Sequence, residues 1–528
     1  MKLHLHAGWL LAVSFGLLLH APALAAGPDE AGPFNTKAVI IYYDSSGNAT
    51  LDPAEPQNAS SYSHETLLAV YDTLIRFDQN GNLTPGLAES WKINSDLTEL
   101  TLKLRHGVTF HDGTKFDADA VKRNFERSTA LGKRAGNTLA DTFQQITAIE
   151  TIGDDTVKLK LRQPSGQIEF RLAYNSGMML SPAAFTPPPN GEPVFGPTLK
   201  PIGAGPYQVK SFESNIKTVM TRFDAYWAGA KDRPAGFENH YVPDSRARFN
   251  ALRSGQATIA LIEPRQIPEA KAAGLVVQSA EKNALWDIYL NVSRPGLSDV
   301  RVRQAMMHAI DREALADAMG FGSARPTQQL WATTSPFYIK ELDSRYPFDQ
   351  AKARALIAEA GFKNGVEITL LLLNTTEYRQ LAEALQGMWA EVGVRLKYDV
   401  IDVSQFTQFA RPTPRGDIMI GRNGGRGDAV EGLMQIVGTG GGVNPGGAAS
   451  PRIDELLGKA RRLEATDPAR LAVMLDLSRE ISEQVSNIPV ITRANVYAYK
   501  PGCIVGLQPY MPAGDERFND VRVGANCK

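Results

Sequence analysis

Apolar side chains recur along this chain with two different periods. Leu100, Leu102 and Leu104 alternate with Thr101, Lys103 and Arg105, the pattern of a half-buried strand with one polar face. Thr156 to Leu161 repeats the alternation through Val157, Leu159 and Leu161, and Val394, Leu396, Tyr398 and Val400 repeat it again. Elsewhere the spacing is helical. Asp299 precedes a helix predicted from Val300 to Met319, and Asp349 precedes another that ends before Gly361. A third runs from about Glu377 to Val392, stops at Gly393 and hands over to the strand beginning at Val394. Arg452 to Leu463 and Pro468 to Val485 read as two more helices. Asp112-Gly113 supplies a turn, and Thr114 or Asp117 then caps a helix with Val121 and Phe125 on one face. Helices and strands joined by glycine handovers predict α/β lobes.

Three features punctuate the pattern. Thr186-Pro187-Pro188-Pro189-Asn190-Gly191, followed by Pro193, Pro197 and Pro201, fits neither helix nor central strand and reads as a boundary loop. A second boundary falls between Asn283 and Pro295, and a glycine-rich stretch runs from Gly421 to Gly447. There is no internal repeat and no low-complexity tract.

Residues 1–25 stand apart from this pattern. Lys2, an apolar stretch from Gly8 to Leu19 and Ala23-Leu24-Ala25 form a secretory signal with cleavage expected after Ala25. Ala26 follows rather than Cys, so no lipid anchor is expected, and no later run has membrane length. The expected location is a Gram-negative periplasm. About 500 residues remain, enough for two or three domains. Loss of Lys2 takes the formal charge from −1 to −2, a balance that argues against nucleic acid or an anionic membrane surface as the main partner. Cys503 and Cys527 are the two cysteines, and an oxidising compartment favours a disulfide between them over two free thiols.

Motifs for catalysis are missing. The chain has no G-x-S-x-G elbow, no G-x-x-x-x-G-K-[ST] loop and no H-E-x-x-H. Beyond the signal the histidines are His64, His106, His111, His240 and His308; His106 and His111 straddle a turn and make a poor metal pair. No enzyme activity, cofactor or metal site is expected. The best site candidate is Asp417-Ile418-Met419-Ile420-Gly421-Arg422-Asn423-Gly424-Gly425-Arg426-Gly427-Asp428, a short apolar strand ending in a loop with two Arg and four Gly. Glycine lets a ligand approach backbone, and guanidinium suits carboxylate or phosphate. On composition alone, a solvated loop whose Arg residues pair with Asp417 and Asp428 fits slightly better.

Several landmarks together resemble the extracellular solute-binding proteins of the peptide/nickel type, family 5, which feed ABC importers. They are Thr50-Leu51-Asp52-Pro53, the block from Leu87 to Gly113, Pro201 to Tyr207, Asp299 to Arg312, and Ala358-Glu359-Ala360-Gly361-Phe362, in the family's order. Glutathione, dipeptide and oligopeptide binders are the nearest in character. The resemblance implies a two-lobe α/β periplasmic binding fold (class II, cluster C type) with an inserted α+β domain. It implies a discontinuous first lobe over 26–66, 195–285 and 491–528, an inserted domain over 67–194 and a second lobe over 286–490. It also implies a ligand trap that closes on a small peptide-like solute and delivers it, as a monomer, to a permease and ATPase.

On the same template the glycine-rich loop lines the cleft and typically reads Gly-Trp-x-x-Asp, the Asp pairing with a peptide ammonium. Here Arg422 takes the place of Trp and Gly425 that of Asp, which disfavours a free-amine dipeptide and favours an anionic solute, glutathione-like or opine-like. The expected ligand-binding set is Arg422, Asn423, Gly424, Gly425 and Arg426, with Tyr62, Ser63, Trp331, Arg493 and Tyr497. Tyr62 and Ser63 fit a surface loop as well, Trp331 fits the core as well, and Trp286, Tyr289 and Asn291 fit either hinge or cleft. Two other readings stay open: a nickel or metallophore binder of the same family, and a secreted peptide hydrolase.

Overall fold

Period-two segments need partners on their edges, and in the computed structural model they find them in two large sheets and a smaller one. The structure describes residues 34–55, 64–78, 81–132, 140–185, 199–279, 284–333, 335–402, 405, 409, 415–424, 428–465, 467–510 and 515–527. The first sheet has seven strands in the order Val276–Ser279, Val496–Tyr499, Ile259–Ile262, Val39–Asp44, Gly236–Tyr241, Lys217–Arg222 and Tyr207–Glu213. Its centre is parallel, Val39–Asp44 lying between Ile259–Ile262 and Gly236–Tyr241. The second sheet has five: Val394–Ile401, Val366–Leu373, Ile418–Gly424, Ala284–Leu290 and Asn487–Thr492.

A third, four-stranded antiparallel sheet carries the alternating leucines, in the order Ala88–Ile93, Glu99–Leu104, Thr156–Leu161 and Ile146–Ile152. Helix Ala118–Gly132 covers one face. Asp117 accepts from Ala120 N at 3.0 Å at its start, and Val121 and Phe125 pack with Leu100, Leu102 and Leu104. This inserted unit shares one continuous apolar core with the first sheet, whereas the second lobe has its own core around Trp389, Leu370 and Ile420. Polar links add to that shared core. Asp52 and Arg127 form a wholly buried ion pair between a first-lobe loop and the helix. Trp227 lies between the guanidinium groups of Arg76 and Arg105 and donates its indole N–H to Asp72.

His111 turns out to be a clamp. Its Nδ1 accepts from Gly203 N at 3.2 Å and its Nε2 donates to Gly205 O at 3.0 Å, which fixes the neutral tautomer with the proton on Nε2. Burial pulls its pKa down to about 4. Gly203 and Gly205 are required because a Cβ at either would strike the backbone of Ala69 or Val70.

Two expectations need correction. The helix predicted from Val300 to Met319 is two helices, Val300–His308 and Arg312–Gly320. Asp311 restarts the second by accepting from Ala314 N at 3.0 Å. Arg303 and Arg312 hold the break in place through backbone carbonyls: Arg303 donates to Leu297, Ser298, Gln484 and Val485, and Arg312 to Met307, Thr327 and Pro489. The second correction is that Arg422 to Gly424 belong to a strand and not to a loop, paired with Trp286 to Ala284. Near the C-terminus the disulfide Cys503–Cys527 forms, and its strands Ile504–Val505 and Arg522–Val523 hold the start of the described chain through Asn35 N→Val523 O at 2.8 Å.

Candidate functional site

Strand register decides what meets between the lobes. The chain passes from one large sheet to the other between Ser279 and Ala284, and back between Thr492 and Val496. Ser279 pairs with Val496, Ile262 with Val496, Leu285 with Thr492 and Ala284 with Gly424. The carboxyl ends of Val39–Asp44, Ile259–Ile262 and Ile418–Gly424 therefore all lie toward the crossings, and so does the carboxyl end of Val366–Leu373. Carboxyl ends of strands in open α/β sheets are where such folds hold ligands.

Arg422 sits two residues from its strand's end, at this junction. Its guanidinium lies 5.4 Å from the Trp286 ring centroid and 5.2 Å from that of Tyr378, while those two rings meet edge to face. Its Nε donates to the Tyr378 hydroxyl at 3.2 Å, and Glu377 stands 3.6 Å away. The side chain remains 24% exposed. Glu377 and Tyr378 open the helix Thr376–Ala390, so the positive end of a four-turn helix dipole points to the same region. The aromatic faces shield the cation without neutralising it, and the arrangement suits an anion.

Beneath this cation the strand is closely packed. A Cβ at Gly421 would collide with the Tyr289 ring, so glycine is required there by a neighbour on the adjacent strand. Asp287 on that strand is fully buried, accepts from Asn487 Nδ2 at 2.7 and 2.9 Å, and is pushed up to about 8 by burial. On the first-lobe side, Asp44 ends its strand by accepting from Ser45 N at 2.6 Å. Buried Arg248 ties down the neighbouring turns through the carbonyls of Val242, Pro243 and Leu261.

The other expected site residues are distributed unevenly. Tyr62, Ser63, Gly425 and Arg426 lie outside the described residues. Asn423 and Gly424 continue the strand opposite Leu285 and Ala284. Arg493 lies in the return crossing, half-buried, its N–H bonded to Ala284 O at 2.7 Å. Tyr497 is 0% exposed and faces Tyr42 in the first-lobe core, so its ring offers a solute no surface. Trp331 is also interior: it donates to Ser478 Oγ at 2.8 Å, packs on Phe337 and lines a small pocket with Gln328, Ser482 and Asn487. Those two leave the candidate set. Glu377 and Tyr378 join it; their helical spacing marks Tyr378 as a core position, and only the pairing of distant strands brings Arg422 onto it. Among the described residues no group of three or more His, Cys, Asp and Glu side chains is placed to hold a metal ion.

Comparison with known proteins decides the family. Residues 82–444 match the model described as bacterial extracellular solute-binding proteins, family 5 middle. The chain belongs to family 5 of the solute-binding proteins. It is similar to the glutathione-binding protein GsiB of Pectobacterium atrosepticum, with 30% identity over 67% of this chain and 68% of the relative. Among solved structures it is similar to the ABC transporter substrate-binding protein CtaP of Listeria monocytogenes (TM-score 0.78, 20% identity, covering 93% of this chain and 100% of that one). It is also similar to NikA of Brucella suis in complex with Fe(III)-EDTA (TM-score 0.78, 23% identity, 91% and 99%). The fold is thus the two-lobe α/β binding fold of family 5, whose members serve ABC importers. No helix among the described residues is long and apolar enough to cross a membrane.

Proposed function

We propose that this family 5 protein captures a small peptide-like solute of net negative charge, of the glutathione class, in the cleft between its lobes and presents it in the periplasm to an ABC permease. The observation that carries this reading is Arg422 set between Trp286 and Tyr378 at the carboxyl ends of the strands and the amino end of Thr376–Ala390. A solute carboxylate there meets a guanidinium and a helix dipole together. A free ammonium, which glutathione also carries, has to lie away from Arg422, where it would meet a like charge. The relative named for glutathione binding supports the same class. The return crossing at 493–495 acts as a hinge, and a solute that touches both lobes favours the closed form by differential affinity. Binding and release then need no covalent step in this chain.

The test is native mass spectrometry of the purified protein followed by identification of the released solute, with calorimetry of glutathione, a Met-Leu dipeptide and nickel ion. Binding of glutathione or another anionic solute, with neither the dipeptide nor nickel competing, is the expected result. A neutral free-amine peptide or a metal complex as the bound species would overturn the anion reading.

A further inference from the structure

The inserted domain touches the second lobe at a place where no chain crosses. On its side are the turn Ser165–Gln167 and helix Ile168–Leu172. On the other are Asp428, helix Ala429–Ile436, the Leu463–Glu464 turn and Arg470. Gly166 is buried so closely against the Leu463 carbonyl that a Cβ would collide with it. Its φ is not left-handed, so it is this packing that excludes a side chain there. Arg171 reaches across, Nη2 donating to Glu431 Oε2 at 2.8 Å, while its Nη1 is rooted in the inserted domain on Thr142 Oγ1 at 3.0 Å. The two charged side chains are 14% and 22% exposed.

This contact is polar and incompletely satisfied. Gln167 Nε2, Glu431 Oε1 and Arg470 Nε are buried without hydrogen-bond partners. Glu169 is buried beside Glu464 and Arg470 and held by Trp91, and burial followed by the Glu464 charge pushes it up to about 7. Each of these groups regains water if the surfaces part, which offsets part of what closing gains. A permanent contact is built differently: between the inserted domain and the first lobe the apolar core is continuous, and the second lobe's core is separate from both. Asp428 also follows directly on the glycine-rich segment that carries Arg422, so one short stretch of chain links cleft wall and contact.

We propose that this contact is a latch: it forms as the cleft closes, holds the closed form without touching solute, and breaks on opening. It rests on the reading of the chain as a two-lobe trap. The deciding experiment is pulsed dipolar spectroscopy of the full mature protein without solute. Spin labels go on cysteines introduced at the exposed Glu150 and Lys459, the native cysteines being paired. Gly166→Ala, a wedge against Leu463, and Glu431→Gln, which leaves the inserted domain untouched, are each expected to raise the ratio of long to short distances, the second by about two- to fivefold, the range for a partly exposed ion pair. Arg171→Glu combined with Glu431→Arg is expected to restore the short distance. Two populated distances whose ratio none of these variants moves would overturn the latch and leave the trap standing. A single distance in wild type and every variant, unchanged by added glutathione, would overturn both.

Discussion

Replacing Arg422 by Met keeps the length and apolar stem of the side chain and removes the charge. The guanidinium is three-quarters buried between two rings, so a solute carboxylate paired with it is partly shielded from water. A hydrogen bond to a charged group in such a place contributes about 1.5–3 kcal/mol, which is roughly a 10- to 150-fold loss of affinity on removal. Glu377 acts in the opposite sense. At 3.6 Å it competes with the solute for the same cation, but it is 44% exposed and screened. Glu377→Gln should therefore tighten binding of an anion by only about two- to fivefold. Titration calorimetry of glutathione against wild type, Arg422→Met and Glu377→Gln reads both effects, with a zwitterionic dipeptide as control. Opposite shifts for the anion are the expected result, and both should shrink at high salt. Unchanged glutathione affinity in Arg422→Met, or equal losses for anion and zwitterion, would refute the charge argument.

Three further outcomes concern stability. The His111 imidazole is held neutral, with a pKa of about 4 against about 6.5 when unfolded, so the unfolded chain binds more protons between these values and stability falls as pH drops from about 6.5 toward 4. His111→Gln should remove on the order of 3 kcal/mol of that acid sensitivity, measured as the difference in urea midpoints at pH 7 and pH 4.5; an unchanged pH slope would count against the clamp. Asp52→Ala leaves Arg127 buried without its carboxylate and should cost about 3–5 kcal/mol, most of it recovered by adding Arg127→Met; a loss that the second change deepens would show that the pair is not the cause. Opening the Cys503–Cys527 bridge by Cys→Ser at both positions should cost about 3–4 kcal/mol in the chain-entropy model for a 24-residue separation, read by thermal unfolding, and a shift under one kilocalorie would refute that estimate.

What could be read from the sequence was mostly local. The alternation at Leu100, Leu102 and Leu104 and at Val157, Leu159 and Leu161 is strand in the structure because period two reports a face directly. Asp299 and Asp349 cap helices because a side-chain oxygen three residues or fewer from a free N–H needs no tertiary partner. The break at Asp311 is not legible in the helical period because Arg303 and Arg312 stabilise it through carbonyls contributed by the 484–489 segment, distant in sequence. The sequence places His111 at a turn, and its role as a clamp depends on Gly203 and Gly205, about ninety positions away.

The candidate site shows the same division. Arg422 stood out by composition, since a guanidinium among glycines is a local fact. That it lies on a strand, over Trp286 and against Tyr378, follows from pairing with Ala284–Leu290, which no local period encodes. The sequence leaves Tyr497 and Trp331 open between cleft and core, and tertiary packing buries both. The family, its layered α/β character and the presence of a guanidinium among glycines were determined by the order of residues along the chain. Which side chains share the cleft, and where the inserted domain meets the second lobe, was decided by the register of distant strands, because burial and charge pairing depend on neighbours in space.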